Sequence, residues 1–280
     1  MIQTIAVAGA GTMGAGIAQV AVQSGLKTVL FDLNNAVLDK AIVSIKKELK
    51  YLVDKELLTT QKYDAVLQNL LFTTNINDCV ADLVIEAIIE KPAAKIELFN
   101  QLAVFNSAQT IFASNTSSLS IEEIQSAVIY PERVIGMHFF NPAPVMKLVE
   151  IVQGAKTNIT TIQTIENLCK KMNKTSVLCK DAPGFIVNRV ARHYYLEAMH
   201  IVEQGLATIE NVDAIMEATG FKMGPFKLMD LIGMDVNLAV STSLYEAFKK
   251  ADRFAPSSLQ IDKVNKGELG RKTGKGFYNY

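Results

Sequence analysis

Two residue types suited to proton transfer stand in the stretch from Val134 to Val152, VIGMHFFNPAPVMKLVEIV: His138 and Glu150. Each lies on an apolar run that reads as a short strand, and Asn141-Pro142-Ala143-Pro144 separates the two runs. Proline fixes φ and has no N–H, so two prolines within three residues stop the first strand and turn the chain before the second. If the strands lie side by side, the carboxylate can meet the imidazole, set its tautomer and raise the basicity of the other ring nitrogen. That is the logic of a general acid/base pair. Taken alone, an arbitrary His and Glu are more often a buried histidine and an unrelated surface acid, so the elements that position them must decide.

The first of those elements is at the N-terminus. Thr4 to Ala8 is a β-branched and apolar run, followed by Gly9-Ala10-Gly11-Thr12-Met13-Gly14 and then by the helical pattern Ile17, Ala18, Val20, Ala21. A GxGxxG motif is weak evidence by itself, but between a strand and a helix it is the dinucleotide-binding turn. Gly9 permits the tight turn, Gly11 lets the backbone approach a pyrophosphate, and Gly14 lets the helix pack on the strand. The helix N-terminus then offers N–H groups and partial positive charge to the phosphates. A second strand, Thr28 to Phe31, runs into Asp32, placed where such folds put the carboxylate that accepts from the adenosine ribose. Leu33, Asn34 and Asn35 follow, none able to neutralise a 2′-phosphate, so NAD is expected over NADP.

Leu83-Val84-Ile85-Glu86 and Thr110-Ile111-Phe112-Ala113 repeat the buried-strand pattern, and the latter opens into Ser114-Asn115-Thr116-Ser117-Ser118. Loops at the carboxyl ends of parallel strands surround the ligand. Ser120 and Glu123 form a capping box there, which leaves Asn115 and Ser117 without an evident structural duty. Leu38, Ile42, Ile45, Leu49 and Leu52 mark a long amphipathic helix whose other face carries Lys46, Lys47 and Lys50, with Lys55 just beyond. From Phe185 onward strand patterns vanish: Phe185 to Gln204 reads as one helix closed by Gly205, Thr208 caps the next and Gly220 ends it. The expected architecture is α/β, a Rossmann-type doubly wound sheet domain over residues 1–183 followed by an all-α domain over 184–280. Arg192, Tyr195 and Met199 read as packing residues, and His193 and His200 have no assigned role.

Composition narrows the function classes. Lys plus Arg balances Asp plus Glu at 28 each, so no basic surface for nucleic acid is expected. Cys79, Cys169 and Cys179 are an odd number with no metal-ligand spacing, which points to a reducing cytoplasm and away from disulfides or zinc. No charged n-region precedes the first apolar run, and no apolar run approaches membrane-spanning length. The apolar segments Met223 to Ile232 and Leu238 to Phe248 exceed the needs of one small helical domain, so a homodimer through the C-terminal domain is expected.

With the glycine loop, the SNTSS run and HFFNPAPVMKLVE in hand, the chain resembles the 3-hydroxyacyl-CoA dehydrogenases, and among them the compact bacterial 3-hydroxybutyryl-CoA dehydrogenases. The resemblance runs from Ile5 to Tyr280 and includes Asp181-Ala182-Pro183-Gly184-Phe185-Ile186-Val187-Asn188-Arg189 and Gly270-Arg271-Lys272-Thr273-Gly274-Lys275-Gly276-Phe277-Tyr278. It implies NAD as cofactor and an acyl-CoA thioester as substrate. It further implies His138 as the catalytic histidine and Glu150 as its orienting carboxylate. Ser117 would contact the substrate oxygen and Asn188 the thioester. Glu90, Lys95, Asn115 and Lys272 would line the nicotinamide half of the NAD site, and Lys55 would meet the CoA phosphates. Glu48 departs from the pattern, standing where some relatives carry a small hydroxyl residue that touches CoA. Two other readings are weighed beside this one: a dehydrogenase of a free hydroxy acid such as a sugar acid, and a non-catalytic NAD-binding regulator or structural protein. The first does not require the NTSS run followed by HFFNPAPVMKLVE or a basic CoA surface, and the joint presence of Ser117, His138, Glu150 and Asn188 disfavours the second.

Overall fold

The computed structural model describes residues 2–280, and the chain divides into two compact units, Met1–Asp181 and Ala182–Tyr280. The first is built on one eight-stranded sheet: β1 (Thr4–Ala8), β2 (Lys27–Phe31), β3 (Leu70–Thr73), β4 (Leu83–Glu86), β5 (Ile111–Ser114), β6 (Val134–Phe139), β7 (Leu148–Gln153) and β8 (Thr175–Lys180). Their spatial order is β3-β2-β1-β4-β5-β6-β7-β8, and every neighbouring pair is parallel except β6 with β7. The first six strands thus follow the doubly wound order whose direction reverses between β1 and β4, where ligands bind. The edge strand β3, with Leu71 half exposed, is too short and too mixed in polarity to stand out in the sequence.

Helices cover the sheet because each has one apolar face. α1 (Thr12–Gln23) buries Ile17, Ala18, Val20 and Ala21 against the central strands. α2 (Asn35–Asp54) buries Leu38, Ala41, Ile45 and Leu49, a three-and-four spacing, and leaves its lysines in solvent. α3 (Thr60–Gln68), α4 (Pro92–Phe105), α5 (Ile121–Ser126) and α6 (Ile159–Lys171) complete this unit. Of the expected capping box on α5, the Ser120 side chain does accept from the Glu123 N–H at 3.1 Å. The second carboxylate is Asp181, which accepts from the Ser120 hydroxyl at 2.6 Å and the Glu122 N–H at 2.8 Å.

The second unit is helical: α7 (Val187–Glu203), α8 (Ile209–Ala218), α9 (Pro225–Ile232), α10 (Met234–Ala247) and α11 (Ser258–Asn265). Tyr195, Leu196, Met199, Phe226, Met229 and Met234 form its core. α7 begins at Val187 and not at Phe185, because Gly184 (φ +73°) and Phe185 (φ +48°) take left-handed backbone. Arg192 is more than a packing residue: its Nη1 donates to the Asn237 carbonyl oxygen at 2.8 Å and to Ser241 at 2.9 Å inside the core. The glycine-rich C-terminal motif has a structural cause. Asp230 accepts from the Phe277 and Tyr278 N–H groups, each at 2.9 Å, and a β-carbon on Gly270 or Gly276 would lie 2.2 or 2.1 Å from Asp230 atoms. Leu244 is buried and Phe248 stacks on Phe254, so much of the second apolar segment fills this core. Leu231, Ile232 and Val236 remain exposed.

Candidate active site

β6 and β7 lie side by side and antiparallel, with His138 directly opposite Glu150. Cross-strand partners have β-carbons about 4.5–5.5 Å apart and project from the same face, so the ladder itself brings the two side chains together. His138 Nδ1 lies 2.8 Å from Glu150 Oε2. The carboxylate can only accept, so Nδ1 carries the proton and the lone pair is on Nε2. Glu150 is 1% exposed and His138 6%, so the pair sits in low dielectric, where its interaction is little screened. The Phe140 ring tilts over the imidazole at 4.5 Å between centroids. Burial first, then the negative charges of Glu150 and Asp181, push the Cys179 thiol on β8 up to about 11.

The turn between the two strands is anchored from below by Lys174, a residue that sequence reading did not single out. Its ammonium donates to the Ala143 carbonyl at 2.6 Å and the Met146 carbonyl at 2.8 Å. Burial pulls this ammonium below the usual lysine range. Ala143 and Pro144 in turn press on Gly16 of α1, where a β-carbon would lie 3.2 and 3.1 Å from them. A cavity of about 480 Å³ is walled by this turn, by Gly11, Thr12 and Gly16, and by Lys40 and Glu48 of α2.

The glycine loop has the shape a dinucleotide needs. Gly9 adopts φ +101°, and a β-carbon there would meet the Ala87 carbonyl oxygen at 2.5 Å. At Gly14 it would lie 1.7 Å from the Gly9 carbonyl oxygen. At Gly11 nothing lies within 4 Å, so the space a side chain would fill is open toward the N-terminus of α1. No side chain caps that terminus and no acid stands in its first turn, which leaves the anion-attracting end to a ligand. Asp32 also has a structural role: Oδ2 accepts from the Ala10 N–H at 2.8 Å and Oδ1 from the Asn34 N–H at 2.9 Å. It pins the loop, and each oxygen retains a second lone pair for ribose hydroxyls.

Beside the loop lies a buried charge cluster. Lys95, 1% exposed, is 2.6 Å from Glu86 Oε1 and 3.1 Å from Glu90 Oε2. Its ammonium is turned inward, between the two carboxylates. Glu90 Oε1 accepts from the Thr116 hydroxyl at 2.5 Å and the Ser117 N–H at 3.1 Å. Burial pushes the Glu90 carboxyl up, but Lys95 and these donors outweigh it and hold the group below the usual range. Asn115 proves to have a structural duty, its Oδ1 accepting from the Phe139 N–H at 2.9 Å, next to His138. The loop bearing Ser117 and the strand bearing His138 are thereby joined.

Other expected site residues lie elsewhere. Lys55 is exposed at the C-terminal end of α2, its ammonium 5.8 Å from the Tyr51 ring centroid. Asn188 stands in the first turn of α7, and Lys272 pairs with Asp235 at 2.5 Å, both within the second unit. Glu86 was legible in principle as the one charge in a buried strand. Lys174 was not, because its partners are 28 and 31 residues distant.

Comparisons with known proteins show the family. The family profile described as "3-hydroxyacyl-CoA dehydrogenase, NAD binding domain" matches residues 4–182, and "3-hydroxyacyl-CoA dehydrogenase, C-terminal domain" matches 184–280. The 3-hydroxyadipyl-CoA dehydrogenase of Escherichia coli K12 is 46% identical over the whole chain, which spans 59% of that protein. A Mycobacterium tuberculosis 3-hydroxybutyryl-CoA dehydrogenase is 38% identical, with 100% of this chain and 99% of that protein aligned. The crystal structure of the (S)-3-hydroxybutyryl-CoA dehydrogenase of Ralstonia eutropha superposes with a TM-score of 0.95 at 38% identity, covering 100% of this chain and 99% of that one.

Proposed function

Since the chain belongs to the 3-hydroxyacyl-CoA dehydrogenase family, with NAD as its cofactor, we propose that it reversibly oxidises (S)-3-hydroxybutyryl-CoA to acetoacetyl-CoA. The observation that carries the chemistry is the 2.8 Å contact between His138 and Glu150. In oxidation, Nε2 of His138 takes the proton of the substrate hydroxyl, and Glu150 holds the ring and offsets the positive charge it gains. NAD, when bound at the glycine loop, supplies the hydride acceptor. In reduction His138 returns the proton to the developing alkoxide. Ser117 orients the reacting oxygen and Asn188 the thioester carbonyl. Asp32, Asn115, Glu90, Lys95 and Lys272 serve the cofactor, with Lys95 acting through Glu90, and Lys55 serves the CoA phosphates.

The C4 substrate is supported by relatives of that name matched over nearly their full length. The E. coli relative is named for a 3-hydroxyadipyl thioester, so initial rates on 3-hydroxybutyryl-CoA and 3-hydroxyadipyl-CoA decide the point. A higher kcat/KM for the adipyl thioester overturns the C4 assignment. Turnover of free acetoacetate at the rate of acetoacetyl-CoA would overturn the thioester requirement. We further assign a homodimer to the exposed Leu231, Ile232 and Val236, and a cytoplasmic setting to the three unpaired thiols. Light scattering at micromolar concentration checks the dimer. No helix among the described residues is long and apolar enough to cross a membrane.

A further inference from the structure

Glu86 is among the buried carboxylates that lie outside the proton chemistry. Glu86 ends β4 with no exposed surface, in register between Ala8 of β1 and Ser114 of β5. This is the point where the strand order reverses. A carboxylate taken out of water is costly unless its lone pairs are engaged, and those of Glu86 are. Oε1 accepts from the Ile88 N–H at 2.7 Å and from Lys95 at 2.6 Å, while Oε2 accepts from the Ser114 hydroxyl at 2.6 Å. The groups this acid holds belong to the segments on either side of it in the sheet.

Two arms leave the carboxylate. Through Ile88 it fixes the turn at Ala87–Ile88, against which Gly9 packs so closely that a β-carbon would lie 2.5 Å from the Ala87 oxygen. Through Lys95 it reaches Glu90, which accepts from the Thr116 hydroxyl and from the Ser117 N–H. Ser114, its third partner, also accepts from the Thr116 N–H at 3.3 Å. The glycine loop and the Ser117 loop therefore hang from one side chain in the rigid centre of the sheet.

We infer that Glu86 is a positioning residue that sets the Ser117 loop relative to the dinucleotide loop, with Lys95 and Glu90 as the link. The inference rests on the dehydrogenase reading for the role of Ser117. Glu86→Gln tests it, because the amide keeps the side chain's volume and an acceptor for Ile88 but removes the charge shared with Lys95. In the full-length enzyme, Glu86→Gln should lower kcat for acetoacetyl-CoA reduction by at least about tenfold, a larger factor than its loss of NADH affinity by fluorescence titration. Lys95→Gln should lower kcat comparably, and the double variant should be no worse than the poorer single one, since both cut the same link. Glu86→Leu severs both arms and should also weaken NADH binding by about tenfold or more.

If Glu86→Gln fails to fold, Ser114→Ala removes only the two hydrogen bonds of that hydroxyl, to Glu86 and from the Thr116 N–H, and should show the same separation of kcat from NADH affinity. A wild-type kcat in folded Glu86→Gln, an equal fall of kcat and NADH affinity, or additive losses in the double variant would overturn the inference. Failure of the dehydrogenase reading is a distinct result, because the wild-type enzyme itself would then leave acetoacetyl-CoA unreduced.

Discussion

His138 and Glu150 occupy opposed positions in the antiparallel ladder of β6 and β7, with Nδ1 and Oε2 2.8 Å apart. Their meeting is a property of strand register, and a slip of one residue would turn one side chain to the other face of the sheet.

Proton transfer by a positioned residue is worth about 100- to 10,000-fold in rate. His138→Ala should therefore bind NADH normally and lose at least about 100-fold in kcat. Glu150→Gln removes the charge that stabilises the imidazolium. Its kcat should fall similarly, and the acid limb of the oxidation pH profile should move to lower pH. Wild-type turnover in either variant would refute the pair.

Two of the loop glycines, Gly11 and Gly14, should respond differently to alanine. Gly14→Ala forces a β-carbon to 1.7 Å from a carbonyl oxygen, and overpacking of that kind costs about 1–3 kcal/mol or more. Gly11→Ala meets nothing, so urea unfolding should change by less than about 0.5 kcal/mol. NADH affinity should nonetheless fall about tenfold or more, which is ~1.4 kcal/mol. Equal stability losses in the two variants would contradict the open space at Gly11.

Lys174→Met strands the buried Ala143 carbonyl and frees the part-buried Met146 carbonyl to water, and at about 1–3 kcal/mol for a buried unsatisfied group the fold should lose roughly 1–3 kcal/mol. The lysine also predicts a pH trend. Burial lowers its pKa in the folded state below the ordinary lysine value of 10.5, so the unfolded chain binds more protons between those two values. Stability from this group is therefore present above 10.5 and lost as pH falls through the lowered value. Urea midpoints between pH 8 and 10.5 should rise more steeply for wild type than for Lys174→Met.

Burial pushes the Cys79 and Cys169 thiols up to about 12, and Cys179 up to about 11. At pH 7.5 fewer than roughly one in a thousand would be the reactive thiolate. Iodoacetamide should leave the native enzyme unmodified and active while alkylating all three thiols in urea, as intact-mass analysis would show. Rapid loss of activity in the native state would count against this burial.

The sequence alone determined the strand–glycine–helix unit, because steric demands at Gly9 and Gly14 are local and hydrophobic period is written in adjacent residues. It also marked β4, β5 and β6 as buried and placed two prolines between a histidine and a glutamate. The tertiary structure decided everything that depends on register or on distant partners. It set His138 opposite Glu150, gave Asn115 the Phe139 N–H as partner, and turned Lys95 inward between Glu86 and Glu90. It likewise put Lys174 beneath the proline turn. Such contacts arise when the sheet closes strands far apart in the chain, and no local pattern encodes which carbonyl a buried ammonium will find.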